Sequence, residues 1–279
     1  MTTGRLQYLC SSCHTVLRET SKPVDDPTSE ECPKCGSLLS ETLLLKQRRH
    51  HDNIQLPKFE KIHTGFSYLN FDIVALDRIL QLGVGESVCI MGVHSGILRD
   101  RLCIRSLLSE RYGGFNSPNV IIIDAGNNSD VYQCMNFARQ YGMDITSVLR
   151  RIIVSRPFTI YQLANLIIYG LPKIMERWKT KIIIISDLLH MFLEDPQVDI
   201  EESKYLIRQI TKSVGQYLNK TLVITTLHDN KYSPYNQILL TKFHKIIEIT
   251  NDGMVNIRNR DKEQSILIRE NDLSTISLT

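Results

Sequence analysis

The sequence predicts a small metal-binding module followed by an α/β domain, a mostly parallel sheet flanked by helices. Four of the seven cysteines form two close pairs within the first 35 residues. From about residue 57, short β-branched runs alternate with amphipathic helical patterns. The 279 residues exceed one average domain but suit one small module plus one full α/β core. We expect the module at 1–45, a linker at 46–56 and the α/β domain at 57–279.

The predicted strands are apolar on successive residues, which is typical of strands that are covered on both faces. They span 88–91, 120–124, 152–154, 182–186, 222–226 and 246–249. Stripes of apolar residues three or four apart predict helices within 131–141, 160–174 and 206–217. This alternation predicts parallel βαβ units with right-handed crossovers. Two short final segments, 254–258 and 265–269, predict an antiparallel hairpin at the edge of the sheet.

The composition is that of a globular intracellular protein. Hydrophobic residues make up 42% of the chain and charged residues 23%, which argues against disorder over most of its length. The start has no apolar stretch behind a basic head, and no apolar run approaches membrane-spanning length. We therefore expect a soluble cytoplasmic protein without a membrane partner, and leave association with the nucleoid open. A formal charge of +3 is too small to indicate nucleic-acid binding unless the positive residues cluster.

The paired cysteines have the spacing of a zinc ribbon. Cys10 and Cys13 form one C-x2-C pair, Cys32 and Cys35 form the other, and eighteen residues separate the pairs. Each pair places two thiolates on one tight turn, and two facing turns complete a tetrahedral site for a structural Zn²⁺. His14 could compete as a ligand, although a neighbouring surface histidine is the simpler interpretation. The other cysteines lie singly in apolar segments and are expected to be buried and reduced: Cys89, Cys103 and Cys134.

The α/β domain resembles the RecA-type ATPases from about residue 65 to residue 270. The stretch from Phe71 to Leu80 is similar to the short helix that precedes the first core strand, and 83–92 to the glycine turn and that strand. Segments 120–124 and 148–158 resemble consecutive landmarks of archaeal RadA and its paralogues, and 181–192 resembles their Walker B strand and the following turn. The resemblance implies a RecA-like P-loop NTPase fold.

The phosphate-binding loop of that family is altered here. A working loop reads G-x-x-x-x-G-K-[ST], in which the lysine neutralises the phosphates and the hydroxyl binds magnesium. The corresponding stretch is one residue short and reads Gly92, Val93, His94, Ser95, Gly96, Ile97, Leu98, Arg99. Ile97 stands where the lysine belongs and Leu98 where the serine or threonine belongs. Neither side chain can perform the task of the residue it replaces.

Further catalytic groups of the family are also missing. Gly126 occupies the position of the catalytic glutamate, and Leu227 that of the glutamine that senses the γ-phosphate. At the Walker B aspartate position the register gives Ser186, with Asp187 one residue later, and a shift of one residue on a strand would turn the side chain away. We therefore expect no catalytic residue and no tight ATP binding, although Arg99 or Arg101 could replace the lysine. The expected vestigial nucleotide site comprises Gly92, Ser95, Gly96, Arg99, Asp124 and Asp187.

Features for DNA contact are sparse. The loop 193–202 is acidic where RadA-like recombinases present basic and glycine residues to DNA. The possible DNA contacts are Arg48 and Arg49 in the linker, and Lys231 and Tyr232 in the loop 228–236, where a lysine lies beside tyrosines. An ordinary surface loop and a solvated linker remain the alternatives, and any DNA binding is expected to be weak.

Three functions remain open on the sequence. The first is a non-catalytic RadA-like paralogue that acts as an accessory or scaffold protein in DNA recombination and repair, with a RecA-family recombinase or another repair protein as partner. The second is a regulator that recognises nucleic acid through its zinc ribbon. The third is an ATPase with an atypical P-loop, similar to RadA/Sms or KaiC-like proteins. Oligomerisation is left open.

One tightly bound zinc ion per chain is the outcome we expect from metal analysis of protein purified without a histidine tag. Replacement Cys32→Ser should lose the metal and make residues 5–45 sensitive to protease, because a module this short depends on its metal for folding. The matched variant His14→Ala should keep the zinc. Absence of zinc from the intact protein would contradict the prediction.

Overall fold

A computed structural model describes residues 68–194, 198–227, 234–259 and 262–275, together with three short strands nearer the start of the chain. The chain divides into two compact units, residues 1–54 and 55–279. The predicted zinc ligands (Cys10, Cys13, Cys32, Cys35) and the possible DNA contacts (Arg48, Arg49, Lys231, Tyr232) all lie outside the described residues. The zinc ribbon, the linker and the DNA contacts therefore stay predictions.

In the first unit, three strands form an antiparallel sheet. They are β1 (Leu6–Leu9), β2 (Val16–Thr20) and β3 (Leu43–Lys46), and β1 lies between the other two. In sequence, the first cysteine pair falls between β1 and β2 and the second between β2 and β3.

The second unit alternates strands and helices along its length. Its strands are β4 (Tyr68–Leu69), β5 (Leu82–Gly83), β6 (Ser87–Gly92), β7 (Val120–Asp124), β8 (Ile152–Ser155), β9 (Ile182–Ser186), β10 (Leu222–Leu227), β11 (Lys245–Ile249), β12 (Met254–Asn259) and β13 (Lys262–Leu267). Its helices are α1 (Val74–Asp77), α2 (Ser95–Leu107), α3 (Val131–Gln140), α4 (Ile145–Arg150), α5 (Ile160–Asn165), α6 (Leu171–Trp178), α7 (His190–Glu194), α8 (Ile200–Tyr217), α9 (Asn236–Leu240) and α10 (Glu270–Ser274). A π-helical segment, Leu166–Gly170, joins α5 to α6.

The large sheet has eight strands in the order β13-β12-β11-β6-β10-β9-β7-β8. The strands from β11 to β8 in this order are parallel, and β12 and β13 add an antiparallel hairpin at the edge. These features confirm the predicted α/β class, the mostly parallel sheet and the C-terminal hairpin. The last strand begins at Lys262, three residues before the predicted start, because its first residues are exposed and polar and so give no apolar signal.

A reversal in the order of the strands places the helices on two faces. The chain runs in one direction across the sheet from β6 to β7 to β8, then returns through β9 and β10 to β11. With right-handed crossovers, α2, α3 and α4 must cover one face and α5 to α9 the other. The two hydrophobic cores agree with this division of the helices. One core contains Leu98, Leu102 and Phe137 from α2 and α3, and the other contains Leu163, Ile207 and Leu239 from α5, α8 and α9. Within the parts of the chain that the structure describes, no helix is both long and apolar enough to cross a bilayer.

Helix α2 buries three arginines, which tie it to distant parts of the unit. The Arg101 guanidinium donates to the backbone carbonyls of Asp272, Leu273 and Thr275 near the end of the described chain, and to Asp72. Arg105 donates to the carbonyls of Asn70 and Tyr112. Its guanidinium lies 5.4 Å from the centre of the Tyr141 ring. Arg99, two residues before Arg101 in the helix, enters the candidate site.

Candidate functional site

The candidate site lies where the carboxyl ends of β6, β7 and β9 meet. In parallel sheets, crevices form at this edge wherever neighbouring strands send their connections to opposite faces. Here the connection after β7 leads to α3 on one face, and the connection after the adjacent β9 leads to α7 on the other. The residues expected to form a vestigial nucleotide site therefore come to one edge of the sheet.

The loop between β6 and α2 is too short to wrap a chain of phosphates. Only Val93 and His94 separate the last residue of β6 from the first residue of α2. Gly92 ends the strand with φ of +101°, and a Cβ at this position would collide with the Ile249 carbonyl oxygen. Leu98 is fully buried in the hydrophobic core, so the position that would need a magnesium-binding hydroxyl holds a packing residue instead.

Arg99 fills the space beneath this loop. Its side chain is 2% exposed, and its guanidinium carbon lies 3.9 Å from where a Cβ on Gly96 would be. The Nε and Nη2 groups donate to the Asp100 carboxylate at 2.8 and 3.1 Å, and Nη2 also donates to the Asn128 carbonyl at 3.0 Å. Nη1 donates to Asn128 Oδ1 at 2.7 Å and to Ser186 Oγ at 2.6 Å. All five N–H groups of the guanidinium are therefore used within the protein.

The charge of Arg99 is balanced by its neighbour in the chain. Asp100 is buried, and burial raises the pKa of its carboxyl to about 6 because the loss of water outweighs the attraction of the Arg99 guanidinium. For Arg99 the balance is reversed: burial opposes the charged form, but the hydrogen bonds and charge of Asp100 raise its pKa. At neutral pH the two groups form a buried ion pair, which leaves little positive potential at the loop.

Asp124 is held by the turn that follows its strand. Its Oδ1 accepts the Asn128 backbone N–H at 3.0 Å, and its Oδ2 accepts the Ser129 N–H at 3.2 Å. Arg156, which follows β8, donates its Nε to the same Oδ2 at 3.0 Å. The carboxylate is completely buried, so these three donors replace water.

Ser186 is the last residue of β9, and Asp187 follows it. The Ser186 hydroxyl donates to Asn128 Oδ1 at 2.6 Å while it accepts from Arg99. Asp187 has φ of +51°, and its N–H donates to Thr226 Oγ1 at 2.9 Å. Asp187 Oδ2 lies 3.4 Å from Asn128 Nδ2, so its carboxylate still faces the cluster despite the shift of one residue.

Gly126 lies in the turn after β7, and the structure leaves no space for a side chain there. A Cβ on Gly126 would lie 2.6 Å from the Asp187 Cβ and 3.0 Å from both Asp187 Oδ2 and Asn128 Nδ2. Real Cβ atoms do not approach other carbon atoms so closely. The turn after β7 therefore accepts only glycine at this point, and a glutamate could not be accommodated without moving Asp187.

The structure brings together most of the predicted site residues but gives them new partners. Arg99, Asp124 and Asp187 meet around Asn128. Gly96 lies against the Arg99 guanidinium, and Gly92 and Ser95 flank the short loop. The sequence prediction missed Asn128 as the residue that joins Arg99, Asp124, Ser186 and Asp187. The run Gly126-Asn127-Asn128, which is typical of a turn, was the available signal in the sequence.

These residues do not fit Mg-ATP. The loop is short, every N–H of Arg99 has an acceptor inside the protein, and Leu98 belongs to the core. Among the described residues, no group of three or more histidine, cysteine or acidic side chains is arranged to hold a metal ion. Comparisons with models of protein families and with curated proteins found no match to this chain.

Replacement Gly126→Ala should lower the free energy of unfolding by about 1–3 kcal/mol, because the added methyl group overlaps Asp187. Gly215 provides the matched control. It lies in α8 with nothing within 4 Å of an added Cβ, so Gly215→Ala should raise stability by up to about 1 kcal/mol. Urea unfolding of both variants measures the difference, and equal effects of the two substitutions would contradict the packing described for Gly126.

Proposed function

We propose that this chain is a non-catalytic, RadA-like paralogue that acts as an accessory or scaffold protein in DNA recombination and repair. In this proposal the second unit has a RecA-like P-loop NTPase fold, the first unit is a zinc ribbon with a structural Zn²⁺, and the protein works in the cytoplasm. The single observation that carries the proposal is Arg99: its guanidinium lies next to the loop that would correspond to the phosphate-binding loop, and the protein's own atoms satisfy all its donors.

The arrangement of the sheet supports the RecA-like assignment. Strand β6, which leads into the glycine-containing loop, lies inside the sheet between β10 and β11, and the antiparallel hairpin extends the edge beyond β11. The short helix α1, the loop, Asp124 and the β9 turn follow one another in the order that the resemblance implies. Fold alone does not determine function, so the assignment rests on the site as well.

The losses at the site favour a binding role over turnover. Phosphoryl transfer depends on positioning and electrostatic stabilisation, so each missing group removes part of the catalysis. If the lysine, the magnesium-binding hydroxyl and the glutamate each contribute roughly 100- to 1,000-fold, their joint loss leaves no useful rate. The contacts of Arg99 and Arg101 also argue against an atypical ATPase, since both guanidinium groups are buried and engaged elsewhere.

In contrast to the catalytic groups, the hydrophobic core of the fold is intact. The central strands β6, β7, β9 and β10 are buried along their whole length, and helices pack on both faces. A protein that must keep its shape but need not hydrolyse a nucleotide would retain a well-packed fold and lose its catalytic groups. This chain has that combination of features. We therefore infer that the surface of the second unit docks onto a RecA-family recombinase.

Millimolar Mg-ATP should leave the melting temperature of the intact protein unchanged. A ligand stabilises the folded state by RT ln(1 + [L]/Kd), and the occupied site gives ATP no donors to bind. The same should hold for Arg99→Ala, in which the positive group itself is lost. A clear rise in the melting temperature of the wild type that disappears in Arg99→Ala would instead favour an ATPase that uses arginine in place of lysine.

The full-length chain should bind the RecA-family recombinase of its own source at physiological salt, with or without nuclease treatment. Single-stranded DNA should bind weakly, and its affinity should fall steeply with salt because such binding depends on phosphate neutralisation. Tight DNA binding without association with the recombinase would overturn the scaffold role and favour a zinc-ribbon regulator of nucleic acid.

A further inference from the structure

A cavity of about 420 Å³ opens at the carboxyl ends of β7, β8 and β9, next to the Arg99 cluster but separate from it. Turns after three strands contribute to its walls. Its apolar side includes Phe158, Ile160 and Met191, and its polar side includes Arg156, His190 and Glu194. A pocket with an apolar wall and a few convergent polar groups has the character of a binding site.

Phe158, which lines the cavity, and Tyr161, three residues later in the chain, are aromatic side chains with exposed surface. Phe158 is 85% exposed although its backbone is fixed, since its N–H donates to Gln162 Oε1 at 2.8 Å. Tyr161 is 53% exposed and donates its hydroxyl to Glu202 Oε1 at 2.9 Å. We call the cavity together with Phe158, Tyr161, Glu194 and Glu202 the Phe158 patch. Exposed aromatic groups beside a pocket are typical of contact surfaces for proteins.

The charge of the Phe158 patch is negative. Among the described residues that line the cavity, Arg156 is the one arginine or lysine, and Asp124 neutralises it at 3.0 Å. Glu194 is largely exposed and has His190 Nε2 at 3.2 Å. Glu202 adds another carboxylate from the first turn of α8, while the neighbouring Glu201 pairs with Lys204.

The negative charge of the Phe158 patch favours a positively charged partner. The chain as a whole carries +3, so a cationic partner gains nothing from the overall charge and must be attracted locally. The phosphates of DNA would meet Glu194 and Glu202, and the one arginine or lysine among the described residues that line the cavity is already paired with Asp124, which makes nucleic acid a poor occupant. A basic segment of a protein has the complementary charge.

We propose that the Phe158 patch docks a basic segment of a partner protein and that the cavity receives one of its lysine or arginine side chains. The aliphatic stem packs against Phe158 and Met191, and the charged end pairs with Glu194. The exposed face of Phe158 adds a cation–π contact. This inference rests on the docking role proposed above and names the chemistry of the contact.

The test uses the full-length protein and a fluorescent peptide of about twelve residues in which pairs of lysines alternate with pairs of leucines. The lysine peptide should bind, and its affinity should fall as the salt concentration rises. A peptide with glutamate in place of every lysine should not bind. Phe158→Ala and Glu194→Gln should each weaken binding of the lysine peptide about tenfold.

Two control variants separate the patch from general charge and hydrophobicity. Tyr132→Ala removes an equally exposed aromatic ring from α3 on the other face of the sheet, and Glu176→Gln removes an exposed carboxylate from α6 near its far end. Both should bind the lysine peptide as the wild type does. Thermal unfolding checks that all four variants are folded, which is expected because each replaced side chain is exposed.

The proposal is overturned if the lysine peptide does not bind, if the patch variants bind it as well as the wild type does, or if single-stranded DNA competes it off the patch. The assay also distinguishes this proposal from the function on which it rests. If the recombinase binds but the peptide does not, only the proposal for the Phe158 patch is contradicted. If the peptide binds through the patch but the recombinase does not bind, only the recombinase is contradicted as the partner.

Discussion

The guanidinium of Arg99 joins three elements that meet at the carboxyl ends of the strands: helix α2, the turn after β7 and the last residue of β9. It does so through Asp100, Asn128 and Ser186, all within hydrogen-bond distance. Asp100 and Ser186 are buried, so their bonds to Arg99 cannot be exchanged for water without a cost, whereas Asn128 is exposed. Loss of one partner of a buried ion pair typically destabilises a protein by about 3–5 kcal/mol. The local geometry of the site therefore depends on this group.

The same helix carries the two other buried arginines, and together they explain how distant segments come to one face. Arg101 satisfies three backbone carbonyls at the end of α10, which is where a helix leaves its acceptors unpaired. Arg105 holds the segment that leads into α1 through the Asn70 carbonyl. Asp72, with φ of +60°, receives Arg101 and the Tyr141 hydroxyl at its carboxylate. The segments around Asn70 and around Leu273 are thus fixed to α2 by polar contacts beside the apolar core.

Most of the fold could be predicted from the sequence because fully buried strands leave a continuous apolar pattern. Strands β7 and β9 have the predicted bounds, and the helical stripes match α3, α8 and the run from α5 to α6. Strand β13 was placed too late because an exposed edge strand has no such pattern. The candidate site was harder to predict from the sequence than the fold. Arg99 was considered as a substitute for lysine, but a sequence does not reveal that the five donors of an arginine are already taken.

The partners of Arg99 could not be predicted, because they depend on which turns meet at the edge of the sheet. Asn128 and Ser186 are 29 and 87 residues away from Arg99 in the chain, and only the strand order brings them together. Likewise, the need for glycine at position 126 follows from Asp187, which comes from a different strand. Such requirements are properties of the packed structure and leave no local pattern.

The apolar residues at the start of α2 would not by themselves prevent a phosphate group from binding at the preceding loop. A phosphate site attracts its ligand through a positive potential and unpaired N–H groups, which a buried loop supplies at low dielectric. In this protein Arg99 provides a positive charge at that place, but Asp100 cancels it and Asn128 and Ser186 take its remaining donors. A triphosphate would have to displace three internal acceptors and leave Asp100 as a buried, unpaired carboxylate. The internal contacts of Arg99 therefore oppose the binding of a triphosphate at this loop, in keeping with the docking role proposed above.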